Sequence, residues 1–519
     1  MHSSQDNDDP QLSEQSTGER PQEAQNSRQY QALARVPTGI EGLDTILNGG
    51  FLRGGIYFIS GQPGSGKTIL SNQIAFSHVA SGGRAVFASL LSETHSRMFS
   101  HISGMSFFDP EPIGDALYFI SAYSAVQTEG LQGLVNLLVS AVRDNKATLL
   151  VVDGSLNAEG FAPSELAFKE FIHRLQTFAD AYGCTVLLLS SLDNGVDTNE
   201  AITGQTTVDG LVRLSNRLVG LNSVRELQVQ KFRGSSYLEG THALEITSEG
   251  VQIYPRLEAV VGRKFEEHSL VKASRERLAF GLERLDEMLY GGVLKGTSTV
   301  LLGPPGSGKT LLSLTYLVEG ARQGQPGLYF GFSEPPSFAT DAGDQIGLDL
   351  SSHIAQGRIR MLWQSAFEGS LDVLANRMLT AVSEHKTQRL VIDGLDALDD
   401  INIYSARVPL FYAALAAELR TRGVTTISTV ELNSLFGPDV DIPIEGVAAR
   451  VENIIFLRSV ELRSRLQRIV SVLKSRRTGH DTLIRELKIT DQGLDVGAEL
   501  GSVESLLTGL ARPLQDTIG

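Results

Sequence analysis

The sequence predicts an α/β protein in which one domain occurs twice in tandem. Short apolar runs rich in β-branched residues alternate with helical patterns, which is typical of a mostly parallel sheet with helices on both faces. The same succession of motifs then returns: Lys67 and Lys309 lie 242 residues apart, and Asp153 and Asp393 lie 240 apart. A period this long indicates duplicated whole domains rather than solenoid repeats.

Composition limits the classes of protein that the chain can be. Of its 519 residues, 41% are hydrophobic and 20% charged, which excludes a wholly disordered or fibrous protein. The net charge of −15 disfavours non-specific binding to nucleic acid, which needs basic residues. Cys184 is the only cysteine, so no intrachain disulfide or cysteine zinc cluster can form. No apolar run approaches the ~18 residues that span a bilayer, so we expect a cytoplasmic protein without membrane contact.

The organisation along the chain follows from the repeat. Residues 1–28 are rich in Gln, Ser, Asp and Glu, which predicts a disordered N-terminal tail. We expect a first domain over residues 30–255, a charged linker over 256–272, a second domain over 273–495 and a tail over 496–519.

Each copy opens with the same motif and continues with strands in the same order. Residues 39–44 (GIEGLD) lead to Gly49-Gly50, and residues 281–286 (GLERLD) lead to Gly291-Gly292. The predicted strands are IYFIS, VFASLL, TLLVVDG and CTVLLLSS in the first copy and STVLL, GLYFGF, RLVIDG and TTISTV in the second. Such continuous apolar runs are typical of strands that are buried on both faces.

Each copy also carries a phosphate-loop signature, G-x-x-x-x-G-K-[ST], between an apolar strand and a helical pattern. The glycines let backbone N–H groups surround a β-phosphate, and the lysine reaches the β- and γ-phosphates. A chance glycine-rich turn is the alternative, which two matches in repeat register make negligible. The residues that we expect to hold ATP are Gly61, Gly64, Ser65, Gly66, Lys67 and Thr68 in the first copy and Gly303, Gly306, Ser307, Gly308, Lys309 and Thr310 in the second.

Two further positions in each copy predict a Mg²⁺ site. The hydroxyls of Thr68 and Thr310 end the loop signatures, and the carboxylates of Asp153 and Asp393 end apolar strands. A carboxylate at the tip of a strand beside the phosphate loop fits the second anchor of a Mg²⁺ shell. An aspartate that only begins a turn is the alternative.

Glu93 and Glu334 follow the strand after the first helix of each copy. Hydrolysis of a phosphoanhydride needs a group that orients and deprotonates the attacking water, and a carboxylate within reach can serve. We therefore expect both to be catalytic, with a helix-capping Ser-Glu pair as the alternative.

A Lys-x-Arg pair recurs near the end of each copy. Lys231 and Arg233 lie in the first, and Lys474 and Arg476 lie in the second. Alternation along a strand would place each pair on one face. A solvated basic face is one interpretation. The other is that these cations reach the γ-phosphate of a neighbouring subunit, as arginine fingers do.

These segments together resemble the KaiC family of RecA-like ATPases. The resemblance covers residues 35–512, including both loops and the closing segments KFRGSSYLEG…EITSEGVQIYP (231–255) and KSRRTGHDTLIRELKITDQGLDV (474–496). It implies two RecA-like P-loop domains that use ATP and Mg²⁺, in a double-ring homohexamer with ATP between subunits. The Lys-x-Arg pairs would then act on the neighbouring subunit, and KaiB-like proteins are possible partners.

The chain departs from the family pattern at four places. It has Ser92-Glu93 and Ser333-Glu334 where the family has paired glutamates, and Arg477 where the family has glycine. Ala448-Ala449 stands at the family's Ser-Thr autophosphorylation pair.

Three functional hypotheses follow. The first is an ATP-hydrolysing hexamer that acts as a switch or timer for protein partners. The second is a Ser/Thr autokinase, which uses the same phosphate-binding residues but lacks the family's acceptor pair. The third and most distant is a DNA-binding recombination ATPase, which is disfavoured because residues 193–210 contain four acidic residues and no Lys or Arg.

Overall fold

The structure is a computed structural model that describes residues 34–90, 95–154, 162–191, 207–219, 222–267, 274–332, 334–365, 370–401, 404–432, 446–462, 465–476, 478–499, 503–504 and 512–513. Both halves belong to one structural unit that begins at Arg35. None of the helices in these ranges is both long and apolar enough to cross a membrane. The tail predicted over residues 1–28 lies outside the described part of the chain.

The first half alternates strands and helices. Its strands are β1 (Arg35–Val36), β2 (Phe51–Leu52), β3 (Ile56–Gly61), β4 (Ala85–Ser89), β5 (Leu117–Ser121), β6 (Leu149–Asp153), β7 (Thr185–Ser191), β8 (Gly210–Val219), β9 (Asn222–Phe232), β10 (Thr241–Thr247) and β11 (Gly250–Tyr254). Its helices are Glu41–Ile46, Lys67–Ala80, His95–Ile102, Tyr123–Asn145, which is interrupted at Gly130, and Glu165–Tyr182. The helix Leu257–Glu267 then leads into the second half.

The second half repeats this order. Its strands are β12 (Arg277–Leu278), β13 (Val293–Leu294), β14 (Ser298–Gly303), β15 (Gly327–Gly331), β16 (Ile359–Trp363), β17 (Arg389–Asp393), β18 (Thr425–Glu431), β19 (Asn453–Leu462), β20 (Arg465–Ser475), β21 (Arg485–Thr490) and β22 (Gly493–Glu499), followed by the pair β23 (Val503–Glu504) and β24 (Arg512–Pro513). Its helices are Glu283–Met288, Lys309–Arg322, Pro336–Gln345, Leu350–Ala355, Leu371–Glu384, Ala397–Ile401, Val408–Thr421 and Val447–Arg450, with a 3₁₀ turn at Ser405–Arg407.

The two large sheets have the same topology. The strand order is β5-β4-β6-β7-β3-β8-β9-β10-β11 in the first and β16-β15-β17-β18-β14-β19-β20-β21-β22 in the second. The first six strands in each order are parallel, and the last three join them through antiparallel pairs. The prediction of two α/β domains with mostly parallel sheets is therefore confirmed.

Each sheet is covered on both faces. Successive side chains of a strand point to opposite faces, so Tyr57 packs into the core that includes the helix Lys67–Ala80 and Phe58 into the core that includes Glu165–Tyr182. The second sheet divides in the same way into two cores. Each fully buried large apolar side chain contributes about 1.5–3 kcal/mol to stability. These layers fix the strands that end at the phosphate loops.

The opening motifs form a turn that each aspartate closes. The carboxylate of Asp44 accepts hydrogen bonds from the backbone N–H and the hydroxyl of Thr38, both at 2.8 Å. The carboxylate of Asp286 accepts from the N–H groups of Phe280 at 2.7 Å and Gly281 at 3.0 Å. The motif is therefore structural, because it fixes the chain just before the first helix of each half.

The predicted linker contains a helix that the charge pattern did not predict. The helix Leu257–Glu267 contacts the second half through ion pairs at both of its ends. The ammonium of Lys264 lies 3.0 Å from the carboxylate of Glu418, and the guanidinium of Arg407 lies 2.8 Å from that of Glu258. The Arg407–Glu258 pair is largely buried and is screened less than an exposed pair, so it holds the start of the helix against the second half.

Candidate functional site

Both phosphate loops turn into a helix at the same residue with the same backbone geometry. Gly66 has φ 100° and Gly308 has φ 99°, and the helices begin at Lys67 and Lys309. A left-handed φ of this kind strains any residue with a Cβ. The first N–H groups of each helix lack helical acceptors and carry positive potential, which suits a phosphate.

The first glycine of each loop is required by close packing. A Cβ on Gly61 would lie 2.4 Å from the carbonyl oxygen of Leu214, and one on Gly303 would lie 2.3 Å from that of Leu457. At Gly64 and Gly306, in contrast, an added Cβ would meet no described atom within 4 Å. Each loop therefore packs its base against the sheet and leaves its outer side open.

The two loop lysines are almost buried and are held by the loops themselves. Lys67 Nζ donates to the carbonyl oxygens of Gly61 at 2.8 Å and Gln62 at 2.9 Å. Lys309 Nζ donates to those of Gly303 at 2.8 Å and Pro304 at 2.9 Å. Burial lowers the pKa of both ammonium groups, and nearby carboxylates oppose this effect.

Each loop threonine contacts the aspartate with which it was predicted to share a Mg²⁺ site. Thr68 Oγ1 donates to Asp153 Oδ2 at 3.0 Å, and Thr310 Oγ1 donates to Asp393 Oδ2 at 3.0 Å. A hydroxyl and a carboxylate beside a phosphate loop are the oxygen donors that Mg²⁺ takes from protein in such sites. The residues present therefore fit the predicted metal.

The aspartate of the second half has two additional hydroxyl partners. Tyr329 OH donates to Asp393 Oδ2 at 2.6 Å, and Thr429 Oγ1 donates to Asp393 Oδ1 at 2.5 Å. Burial and the adjacent Asp393 carboxylate raise the pKa of Tyr329 above its ordinary value, so the phenol keeps its proton. Strand register puts Phe87 and Leu189 at these two positions of the first half, and neither has a side-chain hydroxyl.

The predicted catalytic glutamates differ in what the structure describes. Glu93 lies outside the described residues, whereas Glu334 is exposed just beyond β15. The strand that leads to Glu334 is held in place, since Phe332 N donates to Asp393 O at 3.1 Å. The indole N–H of Trp363 donates to Phe332 O at 3.0 Å from the neighbouring strand.

The Lys-x-Arg pairs lie at the end of the sheet opposite the loops. β9 ends at Phe232 and β20 at Ser475, so Arg233 and Arg476 follow their strands directly. Burial and the adjacent arginine lower the pKa of Lys231 and of Lys474. Two like charges side by side favour an anion as their partner.

In the second half, the cation pair contacts the two alanines at the family's acceptor positions. Lys474 Nζ donates to the carbonyl oxygen of Ala448 at 2.5 Å, and Arg476 donates to that of Ala449 at 2.6 Å. Neither alanine side chain has an oxygen that could accept a phosphoryl group.

Two arginines that the sequence analysis did not select lie beside the loops. Arg468 Nε donates to the carbonyl oxygen of Gly306 at 3.1 Å. Arg225 lines a cavity of about 520 Å³ together with Lys67, Thr68 and Asp153. Arg225 and Arg468 are separated by 243 residues, as Lys231 and Lys474 are. This equal spacing is the signal in the sequence by which the two arginines could have been recognised as equivalent.

A family model described as "ATPase: KaiC" matches residues 36–258 and, a second time, residues 278–501. The chain belongs to the KaiC family. It is similar to circadian clock oscillator protein KaiC 1 of Synechocystis sp., 24% identical over 486 residues, which are 92% of each chain. It is also similar to circadian clock oscillator protein KaiC of Synechococcus elongatus, 23% identical over 492 residues, which are 93% of each chain.

Membership of the KaiC family confirms the resemblance that the loops and closing segments indicated. The chain therefore carries two ATPase domains of the KaiC family, and membership of this family implies that it binds nucleotide. The clock activity in the relatives' names belongs to those proteins, because identities near 24% do not transfer a specific reaction.

Proposed function

We propose that this KaiC-family chain hydrolyses ATP in both halves as a homohexamer with each nucleotide between two subunits, and that the ring is a switch or timer for protein partners. The position of the Lys-x-Arg pairs carries this proposal. Each pair lies too far from the loop of its own half to contact a phosphate there, which supports a role at the nucleotide of a neighbouring subunit.

Strand register gives the distance between pair and loop. Lys474 is opposite Ile454 on β19, and Ile454 is opposite Val300 on β14, three residues before Gly303. At ~3.3 Å per residue, this separates the pair from the loop by about 10 Å along the sheet, in addition to two strand spacings. The register at Lys231 is equivalent, so the first half has the same separation.

Within each site, the chain's own residues would divide the work. The loop lysines bind the β- and γ-phosphates, and Thr68 with Asp153 and Thr310 with Asp393 hold Mg²⁺, which neutralises phosphate charge when bound. Glu334, and Glu93 in the first half, would orient the attacking water and take its proton. Arg233 and Arg476 would stabilise the charge that develops on a neighbour's γ-phosphate.

The autokinase hypothesis is less well supported than hydrolysis. Ala448 and Ala449 lie against the cation pair, where a transferred phosphoryl group would need a hydroxyl within ~3–3.5 Å. DNA binding keeps its low rank, because the acidic stretch over residues 193–210 argues against an electrostatic groove for a strand.

Subunit mixing tests the shared site directly. Arg476→Ala and Lys309→Ala are each made in an Arg233→Ala background, which suppresses turnover in the first half. Each variant alone should be nearly inactive, since an arginine finger contributes about 10³-fold or more. In a 1:1 mixed ring, about a quarter of the interfaces combine an intact loop with an intact neighbouring arginine, so activity should return.

Arg360→Ala is the matched control, because it removes an exposed arginine of the same half that pairs with Glu384. It should leave ATP turnover unchanged. Sedimentation should show a hexamer in the presence of ATP. No recovery on mixing, or a monomer with full activity, contradicts the shared site.

A further inference from the structure

The residue that faces the loop lysine differs between the halves. The last residue of β3 is opposite Ser191 in the first half, and the last residue of β14 is opposite Glu431 in the second. Ser191 and Glu431 therefore occupy equivalent places beside the two loops. One is a small neutral side chain and the other carries a negative charge.

The carboxylate of Glu431 lies against Lys309. The Oε2–Nζ distance is 3.7 Å. An ammonium group has three N–H donors, and two of those of Lys309 are used by the carbonyl oxygens of Gly303 and Pro304. Glu431 lies near the remaining donor, which in the proposed function serves the terminal phosphates of ATP.

The backbone of Glu431 is fixed while its side chain can move. Its N–H donates to Asp396 Oδ1 at 3.2 Å, which brings another carboxylate close to Lys309. The Glu431 side chain is 50% exposed, whereas that of Lys309 is 9% exposed. The Glu431 side chain therefore has room to rotate away from Lys309, but this rotation breaks the ion pair between them.

The electrostatic surroundings of the two lysines differ accordingly. The carboxylates of Glu431, Asp393 and Asp396 all act on Lys309. Asp153 is the carboxylate that acts on Lys67 within the described residues. Among the described residues, an incoming polyphosphate therefore meets more negative charge in the second half than in the first.

We propose that Glu431 sets the ATP affinity of the second site, because its carboxylate competes with the terminal phosphates of the nucleotide for Lys309. The inference rests on the proposed function, in which Lys309 binds those phosphates. Solvent screens a half-exposed carboxylate, so the effect on the dissociation constant is about three- to tenfold. The second half then binds ATP more weakly than the first.

Equilibrium dialysis of the full chain with labelled ATP and Mg²⁺ tests the competition. Glu431→Gln and Glu431→Ser are made in a Lys67→Ala background, so that the second site alone is measured. Both should tighten binding three- to tenfold. The reciprocal change, Ser191→Glu in a Lys309→Ala background, should weaken the first site by a similar factor. Glu384→Gln is the control, since it neutralises an exposed carboxylate of the same half and should change nothing.

The outcomes separate this inference from the proposed function. If the second site binds ATP and the Glu431 variants bind it no more tightly, the inference is wrong and nucleotide binding stands. If the variants lose hydrolysis at unchanged affinity, Glu431 belongs to the chemical step, which also overturns the inference. If neither parent nor variants bind ATP at the second site, both proposals fail.

Discussion

The two nucleotide sites share a backbone and differ in the side chains around it. The glycines before the helices have φ values of 100° and 99°, and each loop lysine donates to two loop carbonyl groups. In contrast, Asp393 accepts from Tyr329 and Thr429, whereas Phe87 and Leu189 occupy those places in the first half. Duplication has therefore kept the geometry that holds a phosphate and changed the groups that surround the acidic residue.

The same contrast occurs away from the sites. His242 in the first half is buried; its Nε2 donates to Leu238 O at 3.1 Å, and its Nδ1 accepts from Arg256 N at 2.9 Å. Arg485, which is 243 residues later, pairs instead with Asp481. One half thus uses a neutral imidazole where the other uses a permanent charge, so the two halves should respond differently to acid.

The largest expected effect is the loss of ATP binding at one site while the other site still binds it. Lys67→Ala and Lys309→Ala each remove the cation that faces the β- and γ-phosphates while leaving the fold intact. Each should weaken ATP binding at its own site by about 100-fold or more, since charge-assisted contacts to phosphate are strong. Equilibrium dialysis should find one nucleotide per chain in place of two.

Lys295→Ala is the control for this pair of variants, because Lys295 forms a surface ion pair with Glu276. It should bind two nucleotides. A Lys67→Ala, Lys309→Ala double variant that kept wild-type affinity would show that neither loop is a nucleotide site.

Acid should destabilise the chain through the first half. Burial lowers the pKa of His242 to about 4, below its ordinary value of about 6.5. Between these two pH values, His242 is protonated in the unfolded chain and neutral in the folded chain. The free energy of unfolding therefore falls as the pH drops from about 6.5 towards 4. At pH 5 the loss is on the order of 2 kcal/mol.

Thermal unfolding at pH 7 and pH 5 measures this loss. The His242→Gln variant keeps an amide that can serve Leu238 O and Arg256 N but cannot gain a charge, so its unfolding midpoint should depend less on pH. An equal acid dependence in the variant and in the wild type would assign the effect to other groups.

The smallest effect concerns how Asp393 is held. Tyr329→Phe removes one hydrogen bond to a carboxylate, which is worth about 1 kcal/mol. The Mg²⁺ concentration that supports half-maximal ATP binding at the second site should rise about fivefold. Phe87→Tyr should lower the Mg²⁺ concentration needed at the first site. Tyr412→Phe, a change elsewhere in the second half, should leave the Mg²⁺ requirement of both sites unchanged. If Tyr329→Phe does not change the Mg²⁺ concentration needed at the second site, the phenol has no role in metal binding.

Sequence predicted the parts of the site that are local in the chain. The phosphate loops, the strands before them and the aspartates at strand ends each follow from a short run of sequence, because each such run is compatible with a single local backbone geometry. The contacts of Asp393 with Tyr329 and of Lys309 with Glu431 were not predicted, because they depend on which strands become neighbours. The helix Leu257–Glu267 was missed for the same reason, since the ion-pair partners of Glu258 and Lys264 lie in the second half.

Trp363 gives the chain an optical asymmetry. It is the only tryptophan among 519 residues, and Ser121 holds the equivalent place in the first half. Its indole is anchored to the strand that leads to Glu334, so rearrangement of that strand changes the environment of the ring. Indole fluorescence should therefore report events in the second half alone, without any label. A nucleotide that changes the emission has acted there, and one that binds without changing it has entered the first half.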